Sequence, residues 1–181
     1  MAQVFLTEDN KEIKSAGIIF YAYKKKKTYL LLQNDNERWC DLGGKKDKED
    51  TCPEDIAARE AAEESNCCFV SSHRILDKEK VIELLPKCQE YLKSKIVYQS
   101  QSLYLPKSKY MLYFVRISNK EKVKLKKNDF SNVEFFSNIE REMDWISLNK
   151  YKELLLEKKI HVRLNDKNVT NYLNFLNSII K

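Results

Sequence analysis

The sequence predicts a single α/β domain, because segments typical of buried strands alternate with segments that have helical spacing. The clearest strand pair is SAGIIFYAY, residues 15–23, and TYLLLQ, residues 28–33, joined by a lysine-rich turn. The clearest helical pattern is residues 78–95, where apolar side chains recur every three or four positions. A chain of 181 residues with 43% apolar residues is long enough to form one core.

The net charge and the cysteine content limit the cellular compartments and the classes of binding partner that we expect for this protein. The formal net charge is +6, which favours a lysine-coated surface and leaves a preference for polyanions, including RNA, as the alternative. No arginine-rich tract or aromatic RNA-binding signature accompanies the charge, so composition does not indicate a dedicated nucleic-acid binder. The five cysteines form no CxxC pair, and the first residues lack the apolar run of a signal peptide. We therefore expect reduced thiols, no membrane association and a cytoplasmic location, with the nucleus left open.

A glycine pair and a marked helix start follow the two strands. Gly43 and Gly44 are two of only three glycines in the chain, and the third, Gly17, predicts close backbone approach inside the first strand. Thr51 and Glu54 have the spacing of a capping box, and the proline between them suits a first helical turn. These signals predict that a helix begins close to residue 53.

The helix carries an acidic face. Within residues 59–64, Glu60, Glu63 and Glu64 fall within about one quadrant of the helix surface. Three carboxylates so close together repel one another, and this repulsion destabilises the helix unless a cation lies among them. Hard divalent metals such as Mg²⁺ bind to such oxygen clusters, usually together with substrate phosphates. The alternative is a surface helix whose acidic face meets only water.

The stretch from Gly44 onwards resembles the Nudix box: Gly, five residues, Glu, seven residues, then Arg-Glu-apolar-any-Glu-Glu-any-Gly-apolar. Residues 59–64 match the helical half without a gap, and Asp50 stands near the place of the first glutamate. Eight residues, rather than seven, separate Asp50 from the arginine, and Asn66 replaces the late glycine. The added residue lengthens the loop without changing the phase of the helix. Asparagine is the next most tolerant residue of a left-handed helix cap, so Asn66 is expected to be harmless.

The resemblance implies a fold and an activity. The fold is an α/β/α sandwich around a mixed β-sheet, with residues 78–95 as an inserted helix, a core at about 15–160 and a C-terminal helical extension at about 161–181. The activity is hydrolysis of the pyrophosphate linkage of nucleoside diphosphate derivatives, with Mg²⁺ or Mn²⁺ as cofactor. The family often forms homodimers, so a homodimer is an expected possibility for this chain.

The resemblance also assigns roles to the acidic helix. Glu60 and Glu64 would bind the metal directly, Glu63 would share that work, and the Gly44 carbonyl would complete the ligand set. Glu60 is the first choice for the general base, because a glutamate beside a bound cation stays ionised and can take a proton from water.

Other candidates lie outside this helical set. Arg59 would hold helix and loop together by pairing with a carboxylate, and Asp50 would be an outer-sphere or orienting group. Glu140 and Glu142 are candidates for the extra carboxylate that relatives bring from a distant loop. The candidate substrate-binding residues are Lys45, Trp39, Glu140 and Glu142.

Further elements are predicted along the remainder of the chain. They are a short first strand at 4–6, strands at 67–70, 96–105 and 110–117, a loop at 128–138, a Trp-bearing strand within 140–148, a helix at 150–158, an extended piece at 160–164 and a helix at 168–180.

Several functions remain open, both among Nudix hydrolases and outside that class of enzyme. The basic surface leaves messenger-RNA cap cleavage and the hydrolysis of dinucleoside polyphosphates or diphosphoinositol polyphosphates as candidates. A Nudix-fold nucleotide- or RNA-binding protein that has lost catalysis through the altered spacing is the alternative from another class. The complete set of three glutamates favours an enzyme.

Overall fold

The computed structural model describes residues 4–35, 37–71, 77–125, 130 and 132–179. The elements, in chain order, are β1 Phe5–Leu6, β2 Glu12–Ile13, β3 Ser15–Lys24, β4 Lys27–Asp35, β5 Arg38–Cys40, β6 Leu42–Lys45, α1 Pro53–Glu64, α2 Lys78–Gln99, β7 Ser100–Leu105, β8 Tyr110–Arg116, α3 Asn119–Lys124, β9 Glu142–Ser147, α4 Leu148–Leu156 and α5 Lys167–Ser178.

Seven of these strands form one mixed sheet. Its main path runs β5-β4-β3-β8-β7, with β6 paired to β3 and β9 paired to β4. Strands β3 and β8 run parallel, while the other pairings in this sheet are antiparallel. The predicted α/β class and mixed sheet are therefore confirmed.

Helices cover both faces of the sheet. Side chains alternate along β4, so that Leu31 enters one buried cluster while Leu30 and Leu32 enter the other. The cluster containing Leu31 is shared with α1 and α2, and we call its side of the sheet the α1 face. The cluster containing Leu30 is shared with α4 and α5, and we call its side the α5 face. This arrangement is the predicted α/β/α sandwich.

The structure corrects two predicted boundaries after α1. Residues 67–70 form turns rather than a strand, because Asn66 and Cys67 have positive φ angles of 48° and 57° and fold the chain back on itself. Helix α2 continues to Gln99, so β7 begins later than residue 96. Ile96 is buried in the same cluster as the preceding turns of α2, which extends the helical apolar face.

The predicted cap of α1 is also wrong. Cys52 occupies the N-cap position, and its side chain makes no capping hydrogen bond. The Thr51 backbone N–H and hydroxyl instead donate to the Asp55 carboxylate, and Glu54 accepts a hydrogen bond from the Tyr113 hydroxyl at 2.8 Å. The helix nevertheless begins at Pro53, where the proline signal placed it.

Helices α4 and α5 begin and end within two residues of their predicted bounds, but the predicted extended piece between them is absent. Residues 162–165 form turns, and Ile160 pairs with Trp39 in an isolated bridge in place of the predicted extended piece. Residues 128, 129 and 131 of the predicted loop lie outside the described residues, and residues 132–138 of it form no helix or regular strand.

Gly17 and Gly43 make room for a buried polar cluster. The two glycines face each other in the β3–β6 pairing, and a Cβ on either would collide with the Tyr110 hydroxyl. That hydroxyl donates to Asp41 Oδ2 at 2.5 Å, and Arg163 Nε donates to Asp41 Oδ1 at 2.7 Å. The Asp41 cluster, which comprises Asp41, Tyr110 and Arg163, ties the residues before α5 to the strand that carries the glycine pair.

All five cysteines are free thiols, as their spacing predicts. Among the helices of the described residues, none has the length and apolar character needed to cross a membrane. The cytoplasmic location stays a prediction.

Candidate functional site

Arg59 joins α1 to the loop that precedes it. Its Nε and Nη2 donate to the two carboxylate oxygens of Asp50 at 3.2 and 3.1 Å, and Nη2 also donates to the Lys45 carbonyl at 2.8 Å. Its Nη1 donates to Glu60 Oε1 at 3.0 Å and to Glu63 Oε2 at 3.3 Å. Because Asp50 is only 4% exposed, its two-point pairing with Arg59 is shielded from water. The added loop residue therefore leaves Asp50 within reach of the arginine.

Glu60 lies against the backbone of Gly44. A Cβ at Gly44 would collide with the Glu60 carboxyl group, so only glycine allows this approach without a shift of the glutamate. Strand β6 and helix α1 thus bring together the first and the second half of the box. The Glu60 side chain keeps 18% of its surface exposed, so solvent reaches it.

Glu64 is buried beneath the same strand. The Gly43 backbone N–H donates to Glu64 Oε2 at 2.8 Å, and Arg141 Nη1 donates to Glu64 Oε1 at 3.0 Å. Arg141 Nη1 also donates to Gln33 Oε1 at 3.0 Å, and Gln33 Nε2 donates to the Asp41 carbonyl at 3.0 Å. Glu64 is therefore fixed between β6, which carries Gly43 and Gly44, and the residues that precede β9.

Glu134 is the distant carboxylate that joins this group, and sequence reasoning missed it. It is 5% exposed, and its Oε2 lies 2.6 Å from Arg141 Nε. The angles of this ion pair are not those of a hydrogen bond, so Glu134 Oε2 is buried without a hydrogen-bond donor among the described residues. The charge of this buried carboxylate is therefore balanced by its ion pair with Arg141.

Asn66 holds the segment that carries Glu134. Its Nδ2 donates to the Val133 carbonyl at 2.7 Å, and its Oδ1 accepts from the Phe135 backbone N–H at 3.1 Å. These two bonds flank Glu134 on both sides in the chain. The asparagine that departs from the box glycine is thus a clamp between the end of α1 and the late segment.

Replacing Asn66 with glycine, the residue of the Nudix box at this position, should destabilise the protein. Glycine accepts the positive φ of residue 66, but Asn66→Gly loses both side-chain bonds, and we expect a loss of about 1–3 kcal/mol in the free energy of unfolding. Asn138→Gly is the matched control, because Asn138 is exposed and has a φ of 57° in the same segment. Urea denaturation of both variants measures the difference, and equal losses would contradict the clamp.

Burial raises the pKa of each helix glutamate. Desolvation is the largest cause for Glu60, Glu63 and Glu64, and the negative charge of Glu134 raises all three further. Arg59 opposes the rise at Glu60 and Glu63, yet the pKa of Glu63 still reaches about 7. A cation among these groups would favour their ionised forms.

The donor set fits a hard divalent cation in its chemistry. Carboxylate oxygens and a backbone carbonyl are the ligands that Mg²⁺ and Mn²⁺ prefer, and Gly44 leaves its backbone open to Glu60. Within the part of the chain that the structure describes, however, no three acidic, His or Cys side chains are gathered closely enough to hold an ion. The contacts explain this spacing, because Glu60 and Glu63 turn towards Arg59 while Glu64 turns towards Arg141.

The structure does not bring every predicted residue to the glutamates. Trp39 packs in the cluster on the α5 face, and Glu142 pairs with Asn34 at the start of β9. Glu140 is exposed. The side chain that reaches Glu64 from this segment belongs to the residue between the two acids, Arg141, and the carboxylate comes from Glu134. The roles of Glu140 and Glu142 stay predictions, and the carboxylate that the structure places beside Arg141 is that of Glu134.

A signal for Arg141 was present in the sequence. In β9, Met143 and Trp145 face the α1 side, while Ile146 faces the α5 side. Side chains alternate along a strand, so the odd-numbered positions, extended back to Arg141, point to the acidic helix. Lys45, the remaining candidate, is exposed at the end of β6.

Comparisons with known proteins give limited likenesses. No family model matches the chain. An uncharacterised protein of Acanthamoeba polyphaga mimivirus is 29% identical over 193 residues, covering 85% of this chain, which spans 62% of the length of that relative. A crystal structure of a C. elegans Ap4A hydrolase binary complex is similar with a TM-score of 0.49 and 16% identity, covering 90% of this chain and 98% of the other.

Proposed function

We propose that the protein is a divalent-metal-dependent hydrolase that cuts the pyrophosphate linkage of nucleoside diphosphate derivatives. The observation that carries the proposal is the contact between the two halves of the Nudix-like box. Glu60 lies against Gly44, Glu64 accepts from the Gly43 N–H, and Asp50 pairs with Arg59. A surface helix that served only solubility would have no need of a buried glutamate or of a glycine strand built around it.

The ligands follow from the donor set. Glu60, Glu63 and Glu64 would hold the ion together with the Gly44 carbonyl, and Glu134 is the further carboxylate of the group. The adjacent phosphates of the substrate repel an attacking water, and bound Mg²⁺ or Mn²⁺ supplies the positive charge that offsets this repulsion.

The protein's own side chains supply the remaining roles in the proposed reaction, those of the general base and of the positioning groups. Glu60 is partly exposed and stands at the glycine strand, which suits it to take the proton of the attacking water as general base. Arg59 keeps Glu60, Glu63 and the loop in place, and Arg141 does the same for Glu64 and Glu134. These two arginines are positioning residues, because Arg59 ties the site to the Lys45 carbonyl and Arg141 ties it to Gln33.

A substrate panel tests the proposal. The purified protein is incubated with Mg²⁺ or Mn²⁺ and with nucleotide sugars, dinucleoside polyphosphates, nucleoside triphosphates, capped RNA and a diphosphoinositol polyphosphate. We expect at least one compound to be cut within its pyrophosphate linkage and Glu64→Gln to lose most of that activity, because a glutamine amide cannot carry the charge of the buried carboxylate. Glu49→Gln, an exposed position in the preceding loop, is the control and should retain the parent rate.

Two outcomes would contradict the enzyme. One is a panel in which no compound is cut with either metal. The other is a Glu64→Gln variant that hydrolyses its substrate as fast as the parent protein.

A further inference from the structure

The two edges of the seven-stranded sheet differ in length, charge and cover. One edge is β5, which has three residues and begins with the exposed cation of Arg38. This edge is also covered, because the Trp39 backbone N–H donates to the Lys159 carbonyl at 2.8 Å and the His161 N–H donates to the Trp39 carbonyl at 2.9 Å. Short length, charge and cover are usual means by which proteins keep a sheet edge from pairing with another chain.

The opposite edge is β7, which has six residues and, among the described residues, pairs only with β8. In an antiparallel pair, every second residue directs both its backbone N–H and its C=O to the neighbouring strand, so the remaining residues of β7 direct theirs outward. Residues 96–106 contain no charged side chain, although 33% of the residues in the chain are charged. This edge therefore has backbone donors and acceptors for a further strand and no charge that would repel it.

Apolar surface continues from this edge onto the last turn of α2. Val97 is 57% exposed and Tyr98 is 81% exposed, and both lie immediately before β7. Within the strand, Leu103 and Tyr104 are only half-buried. Apolar surface beside an uncharged edge strand gains free energy when another chain removes it from water.

A second copy of the chain suits this edge in charge and in symmetry. The formal net charge of the protein is +6, so like charges oppose the approach of two copies over most of the surface. Residues 96–106 are free of that repulsion. When both copies use the same strand, a two-fold axis brings the strands together antiparallel, and the assembly closes after two subunits. An acidic partner would instead be attracted to the lysine-rich parts of the surface.

We propose that the protein forms a symmetric dimer in which β7 of one copy pairs antiparallel with β7 of the other. The two sheets become one continuous sheet, and the outward N–H and C=O groups of each strand bond to those of its counterpart. The start of β7 in one copy then lies beside its end in the other. Tyr98, before the strand, thereby approaches the exposed Lys107, after the strand, and a tyrosine ring attracts an ammonium group. The dimer uses no residue of the acidic helix, so it does not depend on the proposed hydrolysis.

Lysines placed on the edge test the dimer. The two-fold axis passes through the middle of β7, so the exposed Gln101 and Ser102 lie near their own counterparts, one on each face of the sheet. Gln101→Lys/Ser102→Lys therefore brings like charges together on both faces. Asn171→Lys/Asn174→Lys adds the same charge at two exposed positions of α5 and is the matched control.

Sedimentation equilibrium over a range of protein concentrations gives the dissociation constant of the dimer. We expect the parent protein to reach the mass of two chains. The edge variant should raise the dissociation constant by about tenfold or more, and the control by less than about twofold. Both variants should melt at the parent temperature, because all four substitutions are at exposed positions.

Hydrogen exchange locates the contact. Amide exchange of the parent protein is followed by mass spectrometry at concentrations above and below the dissociation constant. We expect the outward amides of β7 to exchange more slowly in the dimer, because they become hydrogen-bonded there. The amides of β5, whose edge is already covered, should exchange at the same rate at both concentrations.

Any of three results would overturn the dimer. The first is a parent protein that sediments as a single chain at every concentration. The second is an equal weakening of association by the two lysine pairs, and the third is exchange of the β7 amides at the same rate in monomer and dimer. None of these measurements involves hydrolysis, so failure of the hydrolase proposal leaves the dimer intact, and loss of the dimer leaves the hydrolase proposal intact.

Discussion

Replacing Glu60 with glutamine is expected to slow hydrolysis of the substrate by about 10²–10⁴-fold, which is the usual contribution of a general base. Glutamine keeps the size of the side chain and an oxygen that can accept from Arg59 Nη1, so the contact at 3.0 Å survives. What the variant lacks is the negative charge and the ability to take a proton. The loss should therefore appear in kcat, measured with the substrate that the panel identifies.

The same variant should fold as well as the parent protein. Burial raises the pKa of Glu60 in spite of the pairing with Arg59, so a neutral side chain at this position avoids the cost of burying a charge. We expect an unchanged or slightly higher melting temperature by thermal denaturation. Glu49→Gln is again the matched control, with an unchanged kcat. A Glu60→Gln variant with the parent kcat would remove Glu60 from the mechanism.

Asp41→Ala is expected to cost about 3–5 kcal/mol in the free energy of unfolding, the usual result of removing one partner of a buried ion pair. Asp41 is fully buried, and it accepts from both Arg163 Nε and the Tyr110 hydroxyl. The variant leaves an arginine side chain that is only 17% exposed and a buried tyrosine hydroxyl without their partner. Urea denaturation gives the free energy of unfolding directly.

An exposed aspartate supplies the comparison. Asp9 is 79% exposed and pairs with Lys11 at 3.6 Å, so Asp9→Ala should change the free energy of unfolding by no more than about 0.5 kcal/mol. If Asp41→Ala cost as little as Asp9→Ala, the Asp41 cluster would have no part in holding the glycine strand.

Local patterns in the sequence were enough to predict the framework of the fold. The apolar runs of β3 and β4 and the proline at the start of α1 depend on neighbours in the chain, and they placed those elements correctly. The helical phase of Glu60, Glu63 and Glu64 also survived the longer loop, because an insertion before a helix does not rotate residues within it.

Features that depend on distant contacts could not be predicted in the same way. Thr51 had the spacing of a cap, but Asp55 and Tyr113 supplied partners that a capping box does not consider. Asn66 was expected only to tolerate a left-handed turn, and its clamp on Val133 and Phe135 spans more than 60 residues of sequence. Glu134 reaches the site through that clamp, so no local pattern points to it.

The central proposal is that the acidic helix and Gly44 support metal-dependent cleavage of a pyrophosphate linkage. The most direct measurement follows the phosphorus NMR spectrum of a panel substrate with EDTA-treated protein, before and after Mg²⁺ is added in excess. We predict that the spectrum of the intact substrate persists in EDTA and that the signals of newly formed terminal phosphates replace it once Mg²⁺ is present, with a much slower change for Glu60→Gln. New terminal phosphates that form equally fast in EDTA, or that form from no panel substrate after Mg²⁺ or Mn²⁺ is added, would contradict the proposal.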